Sequence, residues 1–216
     1  MPDLENNESL MDLLEDEIGP FSKSERTRLK IMASAAKVFS KKGFSEASIK
    51  DIADNAGIAK GTIYYYVEKK EDLLIMLVQF GQAHLFSKVE QDMEKVTTAS
   101  EKIEAMIRNY LKVMKVVGPI MPFFVQNLMA YDSKLREAIA GLRERLLDTI
   151  TAIIEEGIAS GEFRPVDPKK SAVAIIGMVI GQLMQHKVFM GKINTREILE
   201  ATVDIAIKGL RRSHEG

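Results

Sequence analysis

Apolar side chains recur three and four residues apart along most of this 216-residue chain, the spacing of helices with one buried face. The first such stripe (Leu29, Met32, Ala33, Ala36, Val38 and Phe39) predicts a helix over Ser24 to Lys42, ended by Gly43. A connection follows from Lys41 to Ser48, with Phe44 anchoring it. Ser48 is a plausible N-cap for a short helix carrying Ile49, Ile52, Ala53 and Ala56 on one face. Gly57 stands where a left-handed residue would stop that helix. A second short helix then carries Ile63 and Tyr66 inward and leaves Lys60, Thr62, Tyr64 and Tyr65 on or near its outer face. A long helix from about Lys69 to Lys95 follows, with Leu73, Leu74, Leu77, Phe80, Gly81 and His84 at helical spacing.

Beyond it the stripes predict helices from Ser100 through Val117, from Ser133 to Ser160, from Pro168 to Met190 and from Thr195 to Arg212. Gly118-Pro119 interrupts the first of these, and the turn-rich GEFRPVDP, Gly161 to Pro168, links the middle two. The Pro168–Met190 helix is apolar almost all round and should be covered on more than one side. The pattern is that of an all-α protein in two domains.

Residues Ser48 to Lys70 organise the reading. A small Ala53 where two helices cross, a turning Gly57 and a plugging Ile63 make the helix-turn-helix arrangement, whose second helix lies in the major groove of DNA. Two short helices with a glycine between them also occur in proteins that never meet DNA. The tyrosine run adds weight. Consecutive helical residues point about 100° apart, so Tyr64, Tyr65 and Tyr66 cannot all be core. An exposed phenol beside Lys60 and Lys70 suits phosphate and base-edge contact.

Charge agrees once its distribution is followed. The net charge is −1, but residues 1–20 carry seven acids and no Lys or Arg, whereas residues 21–70 carry eleven Lys and Arg against five acids. The basic excess sits on the helix-turn-helix. The acidic leader, with Leu10, Met11, Leu13, Leu14 and Ile18, is either a solvated tail or a short amphipathic helix that docks on the basic module or another protein.

The run TIYYYVEKKEDL, preceded by AGIAKG, resembles the recognition-helix signature of the tetracycline-repressor (TetR) family of regulators, with Thr62, Ile63, Tyr64, Lys70 and Leu73 in the places that pattern fills. The strong likeness covers about Arg26 to Leu77. It implies operator contact by Lys60, Gly61, Thr62, Tyr64, Tyr65, Tyr66 and Lys70. In that scheme Thr62, Tyr64 and Lys70 bind backbone phosphates, while Lys60, Tyr65 and Tyr66 reach base edges. Lys50 is a further phosphate candidate. Tyr66 departs from relatives that carry His or another polar residue there; if it is buried, base reading shifts to Lys60 and Tyr65. The likeness says nothing about the acidic leader.

The chain has no cysteine, so disulfides, thiol nucleophiles and Cys-based metal sites are excluded, which fits a reducing cytoplasm. The acidic start lacks a basic segment followed by an apolar run, and no signal peptide is expected. The longest charge-free stretch, Ser171 to His186, is 16 residues, short of the roughly 20 that span a bilayer. His84, His186 and His214 are far apart with no neighbour at metal-ligand spacing. A nucleophile elbow, a Walker-type loop and a dinucleotide fingerprint are all missing. The expectation is no enzyme, no metal and no cofactor.

For the second domain, Ala174, Gly177 and Gly181 permit close approach of another helix. With Leu199, Val203 and Ile207 of the last helix they form a candidate homodimer face, though all could be intramolecular core. Two arguments favour the dimer. One helix-turn-helix buries little surface, and paired half-sites are the usual remedy; the family resemblance also implies dimerisation through the last two long helices. A ligand pocket is drawn from Met114, Met121, Phe124 and Met178 as adaptable walls. Gln126, Asn127, Tyr131, Gln182, Gln185 and His186 would be its few orienting polar groups.

The expected division is a leader at 1–20, a DNA-binding domain at 21–68 and an effector-binding and dimerisation domain at 69–216. The expected function is a homodimeric transcriptional regulator, a repressor by family habit, that binds a palindromic double-stranded operator and changes affinity on binding a small apolar or aromatic effector. Two rivals stand beside it: a helical small-molecule sensor or carrier without operator binding, and a regulator whose acidic leader recruits or masks a partner.

Overall fold

The computed structural model describes residues 22–117, 133–189 and 194–212. Eight helices run through them: α1 Lys23–Lys42, α2 Ile49–Ala56, α3 Lys60–Tyr64, α4 Lys70–Met93, α5 Ala99–Val117, α6 Ser133–Ala159, α7 Pro168–Phe189 and α8 Thr195–Leu210. The all-α expectation holds, and the sole β-type pairing among the described residues is an isolated bridge between Phe163 and Arg211. The chain divides into two compact units, one holding the described residues up to Gln79 with 133–138, the other those from Phe80 to 117 with 139–212. Helix α4 contributes residues to both.

In the first unit, α1 is started by Ser22, whose hydroxyl accepts from the Glu25 amide while the Glu25 carboxylate accepts from the Ser22 amide. The expected stripe of α1 is buried throughout, joined by Ile31, Ser34 and Ala35. Gly43 closes the helix at φ 78°, and the Phe44 ring turns back onto Phe39 with centroids 5.0 Å apart. Helix α2 packs against α1 and α3 against α2, with Ile52, Ala53 and Ile63 sealed between them. Leu73, Leu74, Met76 and Leu77 of α4 complete the buried set of this unit.

The second unit has one continuous core drawn from α4, α5, α6, α7 and α8. Helix α8 packs on both α5 and α7. Its connections are fastened by polar groups. The start of α5 differs from expectation: the cap falls on Thr98, which exchanges bonds with Glu101, and Ser100 lies inside the first turn. Ser100 is instead covered by Glu162, whose carboxylate accepts from the amides of Ala99 (2.7 Å) and Ser100 (3.0 Å) and from the Ser100 hydroxyl. Pro168 opens α7 at the helical position that suits proline, and Asp167 accepts from the Lys170 amide at 3.0 Å. The Arg164 amide donates to the Leu210 carbonyl at 2.8 Å, tying the α6–α7 link to the end of α8.

Candidate nucleic-acid interface

The site begins with the cap of α2. The Ser48 hydroxyl accepts from the Asp51 amide, and the Asp51 carboxylate accepts from the Ser48 amide and hydroxyl. Lys42 at the end of α1 adds its ammonium to Asp51 at 2.6 Å. That ammonium, first, and the Ser48 donors after it hold the Asp51 carboxyl down at about 2. The entry of α2 is thus tied to the exit of α1. Helix α2 ends at Gly57 in the left-handed region, φ 63° and ψ 36°, as its position in the sequence implied. The Ile58 amide donates back to the Ala53 carbonyl at 3.1 Å. Two residues later the chain enters α3.

Helix α3 is shorter than the pattern suggested. It closes at Tyr64, because Tyr65 takes the cap position and the Tyr66 and Val67 amides both donate to the Ile63 carbonyl. Ile63 is fully buried and fixes the axial rotation of this short helix. Tyr64 is therefore 49% exposed and Tyr65 84% exposed. The Lys60 ammonium stands 5.5 Å from the centroid of the Tyr64 ring. Gly61 is exposed, and a Cβ there would meet nothing, so it leaves room for a close approach. Thr62 is partly covered.

Three candidates have partners inside the protein. Tyr66 is partly buried, its ring set edge-on to Tyr65 and its hydroxyl 3.4 Å from the Ser24 Oγ of α1. Lys50 is exposed and paired with Asp54 at 2.8 Å, one turn along α2. Lys70 donates to three carbonyls, Phe44 at 2.8 Å, Ser45 at 3.1 Å and Ala47 at 3.2 Å.

The second unit brings few of the proposed pocket residues together. Met121, Phe124, Gln126, Asn127 and Tyr131 lie outside the described residues, as does the side chain of His186. Met114 is buried and Met178 packs against the core. Gln182 donates to the Thr202 hydroxyl at 2.8 Å, which places its amide between α7 and α8. Gln185 is exposed. The cavity that does exist is lined by Met106, Ile107 and Tyr110 of α5, Leu146 and Ile150 of α6, and Ile175, Ile176 and Val179 of α7. Its volume of ≈ 10 Å³ is about that of one water-sized probe. Burial pushes the Tyr110 hydroxyl up to about 12.

The proposed dimer residues separate in the same way. Ala174, Gly177 and Gly181 are exposed on one stripe of α7, Leu199 and Val203 are half-buried, and Ile207 belongs to the core of its own unit. Sequence reading missed Val173 (49% exposed) and Ile180 (37%), which share that α7 stripe, and Ile205 (58%) on α8. Their spacing of seven residues, and of four and three from Gly177, was the available signal for the first two.

A basic module with a left-handed glycine between α2 and a short helix that displays Lys60, Tyr64 and Tyr65 is a helix-turn-helix DNA-binding protein, here with a helical second unit. The chain belongs to the tetracycline-repressor family. Residues 31–77 match the family model "Bacterial regulatory proteins, tetR family", and residues 96–210 match "Tetracyclin repressor-like, C-terminal domain". It is therefore a transcriptional regulator of that family.

Among its relatives is the fatty acid metabolism regulator protein of Bacillus subtilis, 28% identical over 152 residues, which span 70% of this chain and 78% of that protein. The structure of the Bacillus subtilis regulator FadR in complex with stearoyl-CoA superposes with a TM-score of 0.70 at 24% identity, covering 84% of this chain and 98% of the other. AibR in complex with isovaleryl coenzyme A and operator DNA gives a TM-score of 0.65 at 20% identity, covering 83% and 97%. Among the described residues no helix is long and apolar enough to cross a membrane.

Proposed function

We propose that this regulator binds a palindromic operator as a homodimer and acts in the cytoplasm, with α3 of each copy in the major groove. The observation that carries the reading is the exposure of Tyr65, Tyr64 and the Lys60 cation on a helix whose opposite side is pinned by the fully buried Ile63. Lys60 and Tyr65 reach base edges, Thr62 and Tyr64 bind phosphates, Gly61 lets the backbones approach, and Lys50 reaches a flanking phosphate by leaving Asp54. The Tyr66 hydroxyl stays with Ser24, so base reading falls to Lys60 and Tyr65. The domain division expected from the sequence, with DNA contact in 21–68 and effector and partner contact in 69–216, is part of this reading. No catalytic step is.

The effector we propose is a long apolar chain carried by a polar group, an acyl thioester of coenzyme A being the first to test. The wholly apolar wall of the α5–α6–α7 cavity supports an apolar guest. The relative named for fatty acid metabolism and the two coenzyme A complexes suggest the class. A cavity of this size cannot hold an acyl chain, so binding would part the three helices. The helix shared by both units, α4, is the element through which that change would alter operator affinity.

Selection of binding sites from a random duplex pool, followed by titration against salt, tests the DNA reading. The expected result is a palindromic site and a Lys60→Ala slope reduced by about 0.9 for each cation removed from the DNA. Enrichment of no palindrome would overturn it. Calorimetric titration with stearoyl-CoA against coenzyme A alone tests the effector, and equal heats from both would reject the acyl chain as the recognised part.

A further inference from the structure

A lysine at the first position of a helix is in an unfavourable place, because the unpaired amides there already present positive charge. Lys70 opens α4. The turn before it is served by Asp72, whose carboxylate accepts from the Glu68 and Lys69 amides at 3.0 Å each. Lys70 itself turns away from the helix axis and across to the connector between α1 and α2. There its ammonium donates to the carbonyls of Phe44, Ser45 and Ala47 at 2.8, 3.1 and 3.2 Å and stands 4.6 Å from the centroid of the Phe44 ring. An ammonium has three N–H donors and no acceptor, so its capacity is filled.

We propose that Lys70 is a positioning residue rather than a phosphate contact: its ammonium fastens the first turn of α4 to the connector that leads into α2. The geometry of the connector explains why a cation is needed there. Three carbonyls within four residues point the negative ends of their dipoles at one place, and a neutral side chain could satisfy fewer of them. The Phe44 ring, itself packed on Phe39, closes the fourth side. One residue after the last of these carbonyls comes Ser48, the cap of α2. Displacement of the α4 start therefore draws on the entry to α2, and through Ile52, Ala53 and Ile63 on α3. The clasp makes helix and recognition module one mechanical body.

This rests on the reading of α3 as the DNA-contacting element, and the experiment separates the two. Lys70→Met keeps most of the stem against Phe44 and removes the donors; Lys70→Gln restores two neutral donors. Binding of each variant and of Lys60→Ala to a random-sequence duplex of about 30 base pairs is followed against salt, with amide exchange measured on the full chain. A phosphate contact would lower the slope by about 0.9, or about 1.8 for two copies. The clasp predicts a slope unchanged by either Lys70 variant and exchange at least about tenfold faster at Ala47, Asp51 and Ile52 in Lys70→Met. It predicts partial recovery of protection in Lys70→Gln. A slope that falls in the Lys70 variants, or exchange at those amides matching the parent, overturns it. An unchanged slope in Lys60→Ala would count against the α3 reading alone, since the exchange result still decides the clasp.

Discussion

Phe163 is seated on the bare backbone of Gly157. A Cβ built on that glycine would stand 2.5 Å from the ring's Cε2 and 2.9 Å from the Cβ of Ala99, so the fully buried ring and the start of α5 fill the volume of the missing side chain. The Phe163 amide donates to the Gly157 carbonyl at 2.9 Å, which holds the ring there. Gly157→Ala gains about 1 kcal/mol of helix propensity and meets an overpacking cost of about 1–3 kcal/mol or more. Net destabilisation is expected in denaturant unfolding. Phe163→Leu in the same chain should recover part of it, leaving the double variant about 1 kcal/mol or more above the sum of the singles. Additive effects would show that ring and backbone do not compete for space.

The carboxylate of Glu162 supplies the second fastening of the same region. Partial burial raises its pKa, but the Ser100 hydroxyl and the Ser100 and Ala99 amides outweigh that and hold it below the ordinary value of 4.5. Its stabilising effect is therefore present above the unfolded pKa and disappears as pH falls through the lower folded value. Glu162→Gln should cost about 1–2 kcal/mol at neutral pH through the loss of charge-assisted bonds to a helix start. The difference between variant and parent should shrink steadily below pH 4.5. A difference independent of pH would mean that shape, not charge, makes the contact.

Asp51 gives a pH dependence for the recognition module. Its carboxyl is lowered from 3.8 to about 2, chiefly by the Lys42 ammonium and then by Ser48. The sign follows from linkage: the contribution is complete above about pH 4 and is lost between there and about pH 2. Asp51→Asn should unfold at lower temperature than the parent near neutrality and approach it near pH 2. Because Asp51 closes both the α2 cap and the α1–α2 bridge, Lys42→Met should reproduce only part of the loss.

Most of the helix order was legible because each stripe has a single period and each break a chemical cause. Gly43 and Gly57 end α1 and α2 where the stripe stops, and Ser48 starts α2. The cap of α5 was misread as Ser100 because Thr98 and Ser100 are equally good oxygens by type. What separates them is Glu101, three residues after Thr98, and Glu162, some sixty residues away along the chain. The same limit applies to the site. That Lys60, Tyr64 and Tyr65 face outward follows from one buried position, Ile63, and local periodicity reports it. That the Lys70 ammonium turns to Phe44, Ser45 and Ala47 does not follow from spacing, because backbone carbonyls carry no signature in side-chain identity. The α5–α6–α7 cavity was missed for a related reason: its walls are the same Ile, Leu and Met residues that fill any core.

The remaining prediction concerns assembly. Val173, Ala174, Gly177, Ile180 and Gly181 lie one turn apart on a stripe of α7 that the single chain leaves exposed, although α7 was expected to be covered on more than one side. Two glycines on that stripe meet nothing where a Cβ would stand, so a partner helix could come close without a clash. Exposed apolar surface of this kind is stabilised when a second copy covers it. A two-fold axis would place each substitution in the interface twice. Ile180→Glu should therefore weaken the dimer by about 3 kcal/mol per copy, on the order of 10⁴ in dissociation constant. Ile180 is more than a third exposed within its own chain, so the helical circular dichroism should be unchanged. Sedimentation velocity across a concentration series reads the outcome directly. A variant that sediments as the parent does would move the interface elsewhere. A monomer that keeps the parent's affinity for a palindromic duplex would remove the need for paired recognition helices.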